Sequence, residues 1–139
     1  MPTELFSPLM TETEARLKPP LALAYIGDTV WDLLVRRSLL TSSFKAGMLH
    51  KQAIQQVNAA AQARAMQQIQ PHLTQAEEDI VRRGSNAHAK HAVPKNQDAA
   101  DYSLATGLEA LMGYLYLKDE FPRMVELVKT GIEAMELHL

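Results

Sequence analysis

The sequence predicts an all-α protein, and three observations support this fold class. Apolar residues recur at helical spacing in several long segments, whereas no segment alternates apolar and polar residues over the length of a strand. Proline, threonine and aspartate stand where such segments begin, which is typical of helix N-termini. A chain of 139 residues is long enough for one domain that buries roughly two thirds of its unfolded surface. We therefore expect a helical bundle that forms a single domain over residues 1–139.

Proline marks most of the expected helix boundaries. Six helices are predicted in chain order, over residues 10–17, 20–40, 46–69, 75–83, 99–118 and 121–137. Pro19-Pro20 ends the first helix, and Pro20 is tolerated in the first turn of the second because the N–H that proline lacks would have no partner there. Pro71 ends the third helix, and Pro122 fits the first turn of the last.

Capping residues define the helices between these prolines. Thr74-Gln-Ala-Glu77 has the pattern of a capping box, and Gly84 fits the position just after a helix C-terminus. Asp98 is a suitable N-cap for the helix that follows. These assignments leave the stretch from Gly84 to Gln97 as the one long irregular segment, and long loops are often functional.

Charge is distributed unevenly along the chain. The net charge is -2, yet residues 33–97 carry nine basic and three acidic side chains, while both flanking regions are acidic. Such asymmetry is a reason to expect a polyanionic partner. Charge alone does not decide this, because the three regions can mingle in the folded protein.

The composition excludes several classes of protein. Without cysteine the chain has neither a thiolate nucleophile nor a cysteine-ligated metal. No apolar run approaches the ~20 residues of a membrane span, and the N-terminus lacks the basic-then-apolar order of a signal peptide. We expect a soluble, cytoplasmic protein with no membrane partner.

Two acids stand in otherwise apolar helices. Asp28 lies within LALAYIGDTVWDLLV, and Glu109 is the only charge in LEALMGYLYL. An ionised carboxylate on an apolar surface must be paired, protonated or bound to a cation. A partner arginine or solvent at the helix edge would explain either acid by itself. Two of them, on separate helices around a basic segment, favour a magnesium site, since Mg²⁺ commonly takes one or two protein carboxylates.

A glycine lies close to each acid. Gly27 and Gly113 each cost about 1 kcal/mol relative to alanine inside a helix. The missing side chain lets another helix, a metal or a phosphate backbone come close to the acid. We therefore expect these glycines to mark points of close approach.

Three segments resemble a known family. Ala24-Tyr-Ile-Gly-Asp-Thr-Val-Trp31 resembles the signature segment of the ribonuclease III catalytic domain, and Glu109-Ala-Leu-Met-Gly-Tyr-Leu-Tyr-Leu117 resembles its second acidic helix. Arg82-Arg-Gly-Ser-Asn-Ala and Val93-Pro-Lys-Asn are similar to the basic loop of the Mini-ribonuclease III branch. That branch is a catalytic domain without the double-stranded-RNA-binding domain, and the sequence is expected to lack that domain too. The resemblance implies the helical bundle of the ribonuclease III catalytic domain.

The resemblance also implies a catalytic site. It identifies Asp28 and Glu109 as the catalytic acids, which ligate Mg²⁺. Full-length ribonuclease III has a further glutamate and a further aspartate where this sequence has Ala24 and Thr106. The Mini branch is similar to this chain in that respect, which implies a site with fewer protein ligands and more water ligands.

The implied reaction is hydrolysis of double-stranded RNA to 5′-phosphate and 3′-hydroxyl ends, with precursor 23S ribosomal RNA as the substrate. In the family two protomers pair through the signature helix, so we expect a homodimer. The apolar content of 21–35, including Tyr25 and Trp31, fits a pairing face, although both aromatic residues fit an internal core equally well. Five basic residues are expected to contact RNA phosphates, with steep salt dependence: Lys51, Arg82, Arg83, Lys90 and Lys95.

Three other functions stay open at this point. A non-catalytic RNA-binding module with the same fold would bind duplex RNA without metal-dependent products. A metal-independent nuclease would use His88 and His91 for acid–base cleavage through the 2′-hydroxyl and leave cyclic-phosphate ends. A helical interaction protein would bind RNA weakly and without regard to duplex structure.

Overall fold

The helices of the protein were located in a computed structural model, which describes residues 10–40, 45–87 and 98–133. Seven α-helices, numbered α1 to α7 in chain order, lie in these residues: Glu12–Arg16, Pro20–Leu39, Ala46–Val57, Ala59–Ile69, Gln75–Ala87, Ala99–Leu117 and Phe121–Glu133. A 3₁₀ turn over Gln70–His72 follows α4. No strand occurs in the described residues, so the all-α prediction is confirmed for them.

The predicted helix over 46–69 is wrong in one respect, because it is two helices. Asn58 adopts an extended backbone between α3 and α4. Its side chain accepts a hydrogen bond of 2.8 Å from the N–H of Ala61 and so caps α4. Asparagine is among the best N-cap residues, and this signal was overlooked within a segment rich in alanine and glutamine.

Gly84 does not end its helix, contrary to the prediction. It lies inside α5, which continues to Ala87. A Cβ at Gly84 would come within 3.1 Å of the Cα of Gly107 on α6. The glycine therefore serves the packing of two helices. The first four residues of the expected irregular segment are helical, and its remainder, 88–97, lies outside the described residues.

The predicted caps of α5 and α6 are confirmed. The N–H of Thr74 donates to the Glu77 carboxylate at 2.9 Å, and the N–H of Glu77 donates to the Thr74 hydroxyl at 3.2 Å. Asp98 accepts from the N–H of Asp101 at 3.0 Å. Pro20 lies in the first turn of α2 as expected.

Helix α6 is the centre of the bundle. From Ala105 to Leu115 every residue except Glu109 is buried. Helices α2, α4 and α5 pack against it on different sides, and the fully buried side chains of Trp31 and Tyr114 fill the core. An acid on this helix is therefore held in a fixed, largely apolar environment. No helix in the described part of the chain is long and apolar enough to cross a membrane.

An ion pair joins α5 to α7. Glu77 is 5% exposed and accepts two hydrogen bonds from the Arg123 guanidinium, at 2.7 and 2.9 Å. Arg123 also donates to the carbonyl of His72 and to Glu126. A bidentate pair with its remaining donors engaged is the form in which a buried carboxylate is well satisfied.

Candidate active site

The candidate site lies where α2 crosses α6, and two glycines allow that crossing. A Cβ added to Gly27 would lie 1.6 Å from the carbonyl oxygen of Glu109, and one added to Gly113 would lie 2.0 Å from the carbonyl oxygen of Leu23. Real side chains do not approach backbone atoms so closely, so only glycine permits this contact. The two helices therefore touch through their backbones.

This crossing brings the two predicted acids together. Asp28 follows Gly27 on α2, and Glu109 lies one turn before Gly113 on α6. The two carboxyl groups lie close enough that Asp28 raises the pKa of Glu109. Such an effect arises when one carboxyl group disfavours the ionisation of another within a few ångströms. The acids thus share one site at the helix crossing.

Burial and the neighbouring acid both perturb Glu109. Burial has the largest effect, and together with the neighbouring carboxyl group of Asp28 it raises the pKa of Glu109 to about 8. Asp28 itself is exposed. The pair therefore has one carboxyl group open to solvent and one that is reluctant to ionise without a cation nearby.

A third polar side chain approaches from α4. Gln62 is 2% exposed, and its interaction with Glu109 lowers the pKa of that carboxyl, against the larger effects of burial and Asp28. Its Nε2 nevertheless makes no hydrogen bond of ordinary geometry to any described residue. The sequence analysis did not single out Gln62, because it is one of several glutamines in the segment predicted as a helix over 46–69.

The two positions where full-length ribonuclease III has further acids add no carboxylate here. Ala24 and Thr106 are both buried, and the Thr106 hydroxyl donates to the carbonyl of Tyr102 at 3.0 Å. Within residues 10–40, 45–87 and 98–133 no group of three or more potential metal ligands is found. A facing pair of carboxylates suits Mg²⁺, which keeps several waters and is commonly held by one or two protein carboxylates.

The predicted RNA-binding residues differ in exposure and in the partners that their side chains already have. Lys51 is exposed on α3. Arg82 is exposed on α5 and pairs with Asp79 one turn earlier. Arg83 donates to the carbonyls of Arg16 and Lys18, at 2.6 and 3.0 Å, and so holds the end of α1. Lys90 and Lys95, like His88 and His91, lie outside the described residues.

Two large apolar side chains of α2 are exposed. Tyr25 is 84% exposed and Leu33 is 60% exposed. Trp31, by contrast, is fully buried, so its expected exposure on a pairing face is wrong and the core alternative applies to it. Tyr25 and Leu33 lie about two turns apart on α2, with the exposed Thr29 between them.

Comparison with known proteins places this architecture among nucleases. The Ribonuclease III domain family matches residues 21–120. The Mini-ribonuclease 3 of Symbiobacterium thermophilum is 42% identical over 119 residues, which are 85% of this chain and 91% of that protein. The Mini-ribonuclease 3 of Thermoanaerobacter sp. is 37% identical over 129 residues, which are 92% of this chain and 90% of that protein. A crystal structure of a Fusobacterium nucleatum protein, 27% identical, superposes with a TM-score of 0.74 over 86% of this chain and 96% of that one.

Proposed function

The chain belongs to the ribonuclease III family and is an endoribonuclease, and we propose that it cleaves double-stranded RNA in a Mg²⁺-dependent reaction. We propose further that precursor 23S ribosomal RNA is its substrate and that it acts as a cytoplasmic homodimer of single catalytic domains. The resemblance inferred from three segments of the sequence is confirmed by the family match. The geometry of the acid pair supports the proposed dependence on a divalent cation.

The crossing of α2 and α6 carries the proposal. It is built from two glycines, and it holds two carboxyl groups from distant parts of the chain against each other. Two facing acids without a cation lower stability, because burial and mutual repulsion both oppose ionisation. A divalent cation removes both penalties, so the arrangement is best explained as a site for one.

Asp28 and Glu109 would hold Mg²⁺ through their carboxylate oxygens. A Mg²⁺ ion held by them would supply a Lewis acid for the phosphoryl oxygen and would favour deprotonation of the attacking water. The exposed Asp28 marks the open side, from which the RNA backbone approaches, while Glu109 is fixed by the packing of α6. Attack by water on the phosphodiester, with departure of the 3′ oxygen, leaves 5′-phosphate and 3′-hydroxyl ends.

Basic residues would bind the RNA backbone. Lys51 has no role in the core and is free to reach a phosphate, as is Arg82 if it exchanges Asp79 for the RNA. Arg83 contributes less, because two backbone carbonyls already engage it. Lys90 and Lys95 complete the proposed set. Phosphate contacts of this kind displace counterions, so binding should weaken steeply as salt rises.

The homodimer would form through the exposed residues of α2. Tyr25 and Leu33 are two large apolar side chains exposed on α2, and exposed apolar surface of this kind supports a protein contact there. Pairing two copies along α2 would place two acid pairs side by side, one for each strand of a duplex.

A cleavage assay on duplex RNA with Mg²⁺ tests the proposed reaction. Wild-type protein should cut in low salt and stop when EDTA is added. Asp28→Asn should abolish cutting, whereas the matched control Asp32→Asn should not, because Asp32 lies one turn further along α2 and pairs with Arg36 at 2.9 Å. Duplex binding without products would instead identify a non-catalytic RNA-binding module. Cutting in EDTA with cyclic-phosphate ends would indicate the His88 and His91 mechanism.

The oligomeric state and the substrate need separate measurements. Tyr25→Glu should convert a dimer to a monomer in light scattering, while Ile54→Glu, at an exposed apolar position of α3, should leave it a dimer. Transcripts that contain the double-stranded ends of precursor 23S ribosomal RNA should be cut at discrete positions. Random degradation of any duplex at an equal rate would contradict that substrate assignment.

A further inference from the structure

Gln62 is a polar residue buried in apolar surroundings. It lies on α4 between Ala61 and Ala63, which are both buried, and α4 packs against α6 there. An apolar residue of the same length would be buried at no cost, whereas an amide needs hydrogen-bond partners. Gln62 Nε2 is the only buried side-chain nitrogen or oxygen of the described residues that has none.

The unpartnered amide lies close to the carboxyl group of Glu109, because Gln62 acts on the pKa of that group. The amide nitrogen nevertheless completes no hydrogen bond of ordinary geometry within the described residues. A Glu109 carboxylate held ionised by a bound cation would offer a strong acceptor to this N–H donor.

We propose that Gln62 is a positioning residue of the active site, whose amide N–H holds the Glu109 carboxylate in the orientation that binds a cation. The inference rests on the proposed cation site at Asp28 and Glu109. Carboxylates that bind metals are usually fixed by such hydrogen bonds, and removal of one typically costs about 10- to 100-fold in metal affinity or activity. Because Ala24 and Thr106 stand in place of acids, fewer polar groups are available to orient Glu109. The hydrogen bond from Gln62 is therefore more important for its orientation.

Gln62→Met tests the proposal, because methionine keeps the length of the side chain and removes the donor. Mn²⁺ binding to the RNA-free protein, followed by electron paramagnetic resonance, should weaken about 10- to 100-fold. The melting temperature in EDTA should stay equal to that of the wild type or rise, because the variant buries no unpartnered amide. Gln68→Met, at an exposed position of the same helix, should change neither quantity.

Gln62→Glu separates two possible roles of the amide. As a donor to Glu109, Gln62 cannot be replaced by a glutamate, which would face another acceptor and weaken Mn²⁺ binding. If Gln62 were instead a direct oxygen ligand, the glutamate would preserve or strengthen binding, and the positioning role would be wrong.

Other outcomes also decide. A Gln62→Met variant that binds Mn²⁺ like the wild type, or that melts lower or loses its helical circular dichroism in EDTA, would assign Gln62 a structural role and overturn the proposal. If the wild type bound no Mn²⁺ at all, the proposed cation site would fail, not the inference about Gln62 alone.

Discussion

Glu77 and Glu109 are two glutamates in one helical bundle with opposite surroundings. Burial alone would raise the pKa of Glu77, yet the hydrogen bonds from Arg123 and from the backbone of Thr74 outweigh it and lower that pKa. Glu109 faces Asp28 instead of an arginine, and its pKa rises to about 8. A carboxylate matched by a cationic side chain holds helices together, whereas one matched by another acid is suited to bind something that the chain does not supply.

The surroundings of Glu109 should be disrupted most severely when Gly27 is replaced by alanine. The new Cβ would lie 1.6 Å from the Glu109 carbonyl oxygen, so α2 and α6 must separate, at a cost of more than about 3 kcal/mol. Cleavage should disappear together with stability. Gly47→Ala is the matched control, because a Cβ there meets nothing within 4 Å and should stabilise α3 by up to about 1 kcal/mol. Urea denaturation and the RNA assay measure both effects. Equal stability of the two variants would contradict the close backbone contact between α2 and α6 at Gly27.

Glu109→Gln should remove catalysis and spare the fold. A bound cation contributes several kcal/mol of transition-state stabilisation, which corresponds to about three orders of magnitude in rate. The amide keeps the shape of the side chain and ends the conflict with Asp28, so the melting temperature in EDTA should not fall. Cleavage rates and thermal melts test this, and a variant that still cuts at the wild-type rate would refute the assignment of Glu109.

The sequence revealed the acid pair for a physical reason. A lone carboxylate is unfavourable on an apolar helix, and a glycine is unfavourable inside any helix. Both features occur at Gly27-Asp28 and again at Glu109 and Gly113. Helices with clear proline and capping signals were likewise predicted within a few residues. Strong local signals of this kind need no knowledge of the partner.

What the sequence concealed depended on partners far along the chain. Arg123 meets Glu77 across 46 positions, and neither residue is unusual in its own helix. Gln62 is one of several glutamines in a segment rich in alanine and glutamine, and only the packing of α4 on α6 distinguishes it from its exposed neighbours Gln67 and Gln68. The burial of Trp31 beside the exposed Tyr25 also follows from the direction in which α2 faces its neighbours.

Glu77→Gln should have the opposite effect to Glu109→Gln. It removes the charge that Arg123 faces, while Arg123 keeps Glu126 and the carbonyl of His72 as partners. Loss of hydrogen bonds to a charged group should cost about 2 kcal/mol of unfolding free energy. The cleavage rate per folded molecule should not change, since the acid pair is untouched. A large catalytic defect in a fully folded Glu77→Gln protein would contradict the assignment of a structural role to Glu77 and a catalytic role to Glu109.

The two glutamates should also respond to pH in opposite directions. Because the pKa of Glu109 is raised from 4.5 to about 8, the folded protein binds the extra proton between these values, and the contribution of Glu109 to stability is lost as pH rises through this window. The contribution of Glu77, whose pKa is lowered, is present above its unfolded pKa and is lost as pH falls through the folded one.

Urea denaturation in EDTA at pH 6 and pH 8 measures the effect of Glu109 on the free energy of unfolding. Wild-type protein should lose about 1 kcal/mol relative to Glu109→Gln between the two values. The maximum for two pH units is about 2.8 kcal/mol, and the loss is smaller because Glu109 keeps some contact with solvent and titrates partly within this range. Comparison with Glu109→Gln cancels the titration of histidines, which both proteins share. Saturating Mg²⁺ should abolish the difference, since a cation keeps Glu109 ionised at both pH values. A wild type that is equally stable at pH 6 and pH 8 relative to the variant would mean that the two acids do not oppose each other in solution.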